Sequence, residues 1–423
     1  MHTFFRSLPG MGLGLLALPF VALGALQRLP AALLRRFQGE GAGFKAEFLE
    51  ANLVIDSFTD PANEAAQDAL HDRVTALLDK EDWVGMAAFL EELDQTRARL
   101  PNGITSLSVA LNKLRWLVSD FYENPLFCND EIAFSVNASV LEAVTEAHRA
   151  NPENYALAAL LGRLHLDCGW AARGSDWAHR VDEEGWAALN SHYAQARALV
   201  TRFDPIAYNS PFLAEVQLLM NIGLSEGYDR FQSAVEDWVE LDPTDRRIYR
   251  LAAFYSLERW FGGDEEAVEM AALCAELSKD TLSDGAYFLV AAHAMHHDEE
   301  VTRYVDVDRF VASFRTILRA SASNSFAQTR LLAALDDALT PHSPFSLVFD
   351  DPDGRVMLLL RKRTGEVLRE NVPQLDHTAI RGRMAQLRAI LSYGFEEELR
   401  RGARVSLSGG TVEITEPPEI ATA

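Results

Sequence analysis

The sequence predicts a mainly α protein: stacked helix pairs forming an α-solenoid, followed by a small C-terminal α+β module. Three observations carry this. From about residue 60 to residue 340, apolar side chains recur at the 3.6-residue helical period, with only short loops between stripes. No strand-like alternation stands out in that stretch. Beyond Pro341 the pattern changes, and Gly409-Gly410 sits between two short runs rich in β-formers, the strongest hairpin signal in the chain.

The elements follow in order. Pro61 opens a stripe through Leu70, Val74, Leu77 and Leu78. Trp83, Ala87, Leu90 and Leu93 form the next, then Leu107, Leu111, Leu114, Leu117 and Val118. Further stripes cover residues 136–148, 155–166, 186–200, 211–224, 228–241, 248–260, 265–277, 286–295, 307–318 and 325–339. Helices joined this tightly read as antiparallel pairs stacked in a row. Asn151-Pro152, Asp204-Pro205 and Asp242-Pro243 end helices, because proline lacks an N–H and crowds the preceding turn. After Pro341, residues 345–349 and 355–361 read as strands around an Asp-Asp-Pro-Asp-Gly turn, with a second turn at Thr364-Gly365. A helix over about 376–401 follows, stopped by Gly402, and then the hairpin over 405–408 and 411–414. The chain divides into an N-terminal segment (1–40), the helical array (41–340), the module (341–416) and a frayed tail (417–423).

Composition bounds the role. The 423 residues are 48% apolar and 24% charged, with a formal net charge of −23. A chain this apolar is neither wholly disordered nor collagen-like. Cys128, Cys168 and Cys274 are too few for a disulfide scaffold or a four-cysteine zinc site. The acidity argues against a nucleic-acid partner, since phosphate attraction needs clustered Lys and Arg. Residues 1–50 carry +2 and residues 341–423 carry −1, so the array between them holds −24. That charge is a solvated outer face or a surface for a basic partner. Arg361-Lys362-Arg363, Arg381, Arg383 and Arg388 of the module can dock back onto it or meet a membrane surface.

Residues 8–26 carry no charged side chain. Nineteen residues at helical rise just span a ~30 Å hydrocarbon core. The run reads as a membrane span, as a cleaved signal peptide with Arg6 before it and a small-residue site near Ala22-Leu23-Gly24, or as a tail. Arg28, Arg35 and Arg36 follow it, which by positive-inside logic places the body in the cytoplasm.

Repeat spacing adds a resemblance. Asp204-Pro205 and Asp242-Pro243 lie 38 residues apart, close to the ~34-residue tetratricopeptide period. After Pro152, Ala158, Leu161-Gly162 and Gly169 fall at the spacing of a tetratricopeptide first helix, where small residues admit close packing. The array is tetratricopeptide-like, with an insertion around 171–184 interrupting the phase. Leu257-Glu258-Arg259-Trp260-Phe261-Gly262-Gly263 is similar to a bacterial family of unknown function with a Leu-x-Arg-Trp-x-Gly signature. Gly169-Trp170-Ala171-Ala172-Arg173-Gly174 and the Trp186 helix fit the same pattern, over roughly residues 60–300. The resemblance implies a helical domain and brings no catalytic residues. Read directly, Arg259 and Trp260 sit at an inter-helix corner that Trp260 fills. Gly262 and Gly263 break the helix and supply positive φ, and Asp264 N-caps the next one.

One cluster has metal-ligand spacing. His293 and His297 fall at i, i+4 on a helix, and Glu300 lies one turn beyond. It is not the zincin motif, since Ala294 follows the first histidine. The same residues suit a helix C-terminus, where imidazoles meet the negative dipole end. Phosphate-loop, dinucleotide, nucleophile-elbow and kinase signatures are all missing from the sequence. Cys128, before Asn129-Asp130, has no basic neighbour to activate it. Asp350, Asp351 and Asp353 lack the closing glutamate of a calcium loop.

These readings predict a non-catalytic protein-interaction scaffold without a cofactor. It would be tethered to a bacterial inner membrane and hold a protein or peptide on the array, not nucleic acid. The alternative localisation is export to the periplasm. The alternative role is a metal-dependent enzyme with its site near His293, His297 and Glu300.

Overall fold

The computed structural model describes residues 53–55, 61–122, 133–174, 178–224, 227–322, 325–340, 352–371, 394–408 and 411–416. The protein is mainly helical, with 16 α-helices and five short strands among them. Pro61–Leu78 (α1), Trp83–Thr96 (α2) and Ser106–Val118 (α3) lead into a two-stranded antiparallel ladder, Ser119–Tyr122 (β2) with Ala133–Val136 (β3). Ala138–Ala150 (α4), Tyr155–Arg173 (α5), Glu183–Val200 (α6), Pro211–Leu224 (α7) and Tyr228–Leu241 (α8) follow. Then come Arg246–Tyr255 (α9), Asp264–Leu277 (α10), the short Lys279–Leu282 (α11) and Gly285–His297 (α12). Val307–Ala320 (α13), Ser325–Leu339 (α14), Pro352–Asn371 (α15) and Glu396–Arg400 (α16) complete the helices.

Side-chain caps set several starts. Asp82, Asn154, Asp182 and Asp306 each accept the backbone N–H three residues on, at 2.7–3.0 Å. Asn151 and Asp242 stand at the C-caps of α4 and α8, so their prolines fall just past the last turn, as the sequence predicts.

Two helices are apolar around nearly their whole circumference, and both lie at the centre. In α5 almost every side chain from Tyr155 to Gly169 is buried, and the helix packs against α2, α4, α6, α7 and β3. In α12 Gly285 to Met295 is buried almost throughout, against α9, α10, α13 and α14. Sequential helices pair as α5 with α6, α7 with α8, α9 with α10, α12 with α13 and α14 with α15. Gly162 permits the tight approach the sequence anticipates: a Cβ there would stand 2.9 Å from Val200 Cγ1.

Several expectations need correction. Residues 355–361 are not a strand but the first half of α15, and Thr364-Gly365 is helix interior, with Thr364 Oγ1 donating to the Leu360 carbonyl. A continuous apolar run, Val356 to Leu360, has no period of its own to separate strand from helix. What decides is that Met357, Leu360, Thr364, Val367 and Leu368 form one buried helical face, while Leu359 is exposed. The ladder β2–β3 lies where no strand was expected, because two four-residue strands are too short to show a period. The helix over 248–260 stops at Tyr255, five residues early. Residues 345–349 lie outside the described residues, as does most of the helix expected over 376–401, of which Glu396–Arg400 is helical.

The C-terminal hairpin forms in the expected register. Arg404–Ser408 (β4) pairs antiparallel with Thr411–Thr415 (β5), Ser408 opposite Thr411. Gly402, at φ 85, precedes it in the left-handed region, the geometry of a helix stop. Leu53–Ile55 (β1) adds a parallel third strand, Leu53 opposite Val405, which no local signal announces. Helix α15 packs on α13 and α14. There the Arg361 Nε donates to the Leu339 carbonyl at 2.8 Å, at the C-terminus of α14, and Arg363 pairs with Asp308. Two of the module's basic residues thus dock onto the array. Among the described residues no helix is long and apolar enough to cross a membrane. Residues 8–26 and Cys128 lie outside them.

Candidate functional site

The signature residues converge. The Trp260 ring stands edge-on to Tyr255 at 4.9 Å and to Trp170 of α5 at 6.4 Å. Trp170 in turn meets Tyr193 of α6 at 6.3 Å. The Arg173 guanidinium lies 5.4 Å from the Trp170 ring and 5.0 Å from Trp186. Arg259 donates to the His297 carbonyl at 2.5 Å and lies 5.8 Å from the Phe254 ring. The corner after α9 is therefore tied to α5 and the end of α12, and through Trp170 to α6. Gly262 and Gly263 do not supply positive φ; Gly263 is extended and is itself the N-cap of α10, with Asp264 in the first turn. Gly262 is required by crowding instead, since a Cβ would lie 2.3 Å from the Ser256 carbonyl oxygen.

The structure places His293 and His297 in the last turns of α12 and Glu300 in a separate 3-10 turn, Glu299–Arg303. Burial, then Arg250 and the other two histidines, hold the His293 imidazole well below its ordinary value. The His297 ring packs on Phe254 and on His296, each at 4.7 Å. Glu300 faces solvent, 3.8 Å from Arg303. Among the described residues no group of three His, Cys, Asp or Glu side chains is placed to hold a metal ion. Burial pushes the thiols of Cys168 and Cys274 up to about 11 and about 12, which leaves both protonated and weakly nucleophilic at neutral pH.

Two features that sequence reasoning missed flank α5. The first is a seam of buried charge. Arg115 of α3 makes a bidentate pair with Asp167 of α5, at 2.7 and 2.6 Å. Arg163, one turn before, lies 3.7 Å from Asp167 and 3.4 Å from Glu215 of α7. Glu215 also accepts from Arg247 of α9 at 2.9 Å, and Arg247 pairs with Asp245 at 2.7 Å. Arg115, Arg163, Asp167, Glu215 and Asp245 are each at most 6% exposed. Burial alone would raise Asp245, but Arg247 overrides it and holds the carboxyl below its ordinary range. The Arg247 guanidinium, despite its burial, is held above its ordinary range by Asp245 and Glu215. Signs alternate along the seam, so each charge between its two ends is answered on both sides. The available signal was Arg163, Asp167 and Glu215 standing inside otherwise apolar helices.

The second feature is a cleft of about 420 Å³ between α4, α5 and α6. Positions two apart on a helix point about 200° apart. Leu161 and His165 therefore face the cleft, while Arg163 and Asp167 face the seam. His148, Thr145 and Arg149 line it from α4, with Gln195, Ala198 and Leu199 from α6. His165 Nδ1 meets His192 Nδ1 at 3.0 Å, so one ring donates and the other accepts. Burial, then His192, pushes the His165 imidazole down to about 4. Burial, then Arg202, lowers His148.

Comparison of the chain with protein-family models, with curated proteins and with solved structures finds no match.

Proposed function

We propose that the chain is a non-catalytic scaffold in which a tetratricopeptide-like array of helix pairs holds a protein or peptide partner, tethered to a membrane through residues 8–26. The observation that carries this is the two-layered order of the helices. In one layer α5 touches α7, α9 touches α12, and α12 touches α14; in the other, α8 touches α10 and α13 touches α15. Stacked pairs of this kind build an extended surface from several helices. The buried seam from Arg115 to Asp245 supports the reading, because alternating charges lock the register of α3, α5, α7 and α9. A rigid array loses little entropy when a partner binds. Its charge of −24 favours a basic partner segment and gives association a salt dependence.

The test uses the full-length chain with a C-terminal tag, expressed in a bacterium, fractionated and recovered in mild detergent. The expected result is membrane recovery with one stoichiometric partner. Rebuilt from purified components, that complex should weaken several-fold between 50 and 300 mM salt. A soluble, partner-free species shortened near Gly24 overturns the tethered scaffold.

A further inference from the structure

We propose that the cleft between α4, α5 and α6 is a binding site for a small aliphatic monocarboxylate. A volume of about 420 Å³ is that of a small-molecule site. Pro152, Leu161, Ala198 and Leu199 give it an apolar lining suited to a short hydrocarbon tail.

The polar groups select the head. His148 Nε2 is buried and has no hydrogen-bond partner, a cost that a ligand acceptor removes. The Thr145 hydroxyl is spent on the Leu141 carbonyl, and the Gln195 amide N–H on the Ser191 carbonyl. His148 and Arg149 are the cleft's basic donors, and the second Gln195 amide N–H remains beside them. Arg149 pairs with Glu146, but both side chains are more than 60% exposed, and such a surface pair is easily exchanged. In a chain of net charge −23, no carboxylate among the described residues lines this cleft. A single anionic acceptor on an apolar tail answers all of these features.

The imidazoles couple binding to protons. Burial, then Arg202, biases His148 toward the neutral form, and burial, then His192, does the same for His165. The other charged groups nearby are Glu146 and Arg149 of α4, and Glu153, which is tied to Arg202 at 3.0 Å. A carboxylate beside His148 favours the imidazolium, so binding takes up a proton and tightens as pH falls toward 6.

The test is titration calorimetry of the full-length chain with hexanoate at pH 6.5, in two buffers of different ionisation enthalpy, with 1-hexanol as comparator. The expected result is one saturable site, hexanol at least about tenfold weaker, and a buffer-dependent heat that reports proton uptake. Arg149→Gln, at an exposed position, should weaken hexanoate about three- to tenfold and leave hexanol unchanged. His148→Leu should abolish the proton uptake, with the helical circular dichroism unaltered. Failure of hexanoate to saturate, equal affinity for hexanol, or a hexanoate affinity and proton uptake unchanged by both substitutions overturns the proposal. None of these outcomes bears on the scaffold reading, which is tested by partner recovery.

Discussion

The Asp94 carboxylate accepts the backbone N–H of Phe212 at 2.9 Å, so the last turn of α2 caps the N-terminus of α7 from 118 residues away. Ser210 Oγ and Tyr155 Oη also donate to Asp94, which is 1% exposed. One carboxylate thereby ties α2, α5 and α7 together. It does the work of an N-cap without being the local cap residue.

Burial raises Asp94 from 3.8 to about 6, against the lowering effect of those hydrogen bonds. A folded-state value above the unfolded one adds stability that is full below pH ~3.8 and lost as pH rises through ~6. The size is about 3 kcal/mol. Asp94→Asn should therefore gain on the wild type between pH 5 and 7 in urea unfolding. Asp94→Ala should lose ~1–2 kcal/mol at pH 5 through the missing cap. A wild type and an Asn variant that run parallel from pH 4.5 to 7 would refute the assignment.

His165 works in the opposite direction. Its folded value of about 4 lies below the ordinary imidazole value of 6.5, so its contribution is full above pH ~6.5 and falls away as pH drops through 4. His165→Gln should flatten the acid limb of the stability curve. Imidazole proton shifts of the wild type should show a histidine still neutral at pH 5.

The Arg115–Asp167 pair is buried on both sides, and removing one partner strands a charge. Arg115→Met or Asp167→Leu alone should cost ~3–5 kcal/mol by denaturant unfolding. The double variant should recover most of that loss. Simple addition of the two costs would show that the residues do not act as a pair.

Gly262 and Gly263 make an internally controlled comparison. Gly262→Ala sets a methyl 2.3 Å from the Ser256 carbonyl oxygen and should cost ~1–3 kcal/mol. Gly263→Ala meets only the movable Glu266 carboxylate, at 2.8 Å, and should cost well under ~1 kcal/mol. Thermal melts of the two proteins rank them directly.

Local chemistry was legible. Helix positions followed from apolar spacing in α1 to α10 and α12 to α14, though not for the short α11, and the Asx-Pro steps marked helix ends within a few residues. The Gly-Gly hairpin was also readable, because its signal is contained in a dozen residues. The corner at Trp260 was legible as a junction, while the length of α9 was not. Tyr255, Trp260 and Phe261 continue an apolar pattern through a break that Gly262 and the Ser256 carbonyl decide sterically. The candidate sites were barely legible. His293, His297 and Glu300 have the right spacing, but the helix ends at His297 and Glu300 leaves its face.

The sequence by itself determined that most of the chain is helical and where most of the helices of residues 61–339 begin and end, because periodicity and capping act over a few residues. Tertiary structure alone decided the rest. Arg115 meets Asp167, and Arg163 meets Glu215, each across 52 residues, through the way their helices cross. The same crossings turn Leu161 and His165 toward one cleft and Arg163 and Asp167 toward the seam. They also make a helix of the Val356 to Leu360 run, because only one buried face was available to receive it, and bring Leu53 beside Val405 from near the opposite end of the chain.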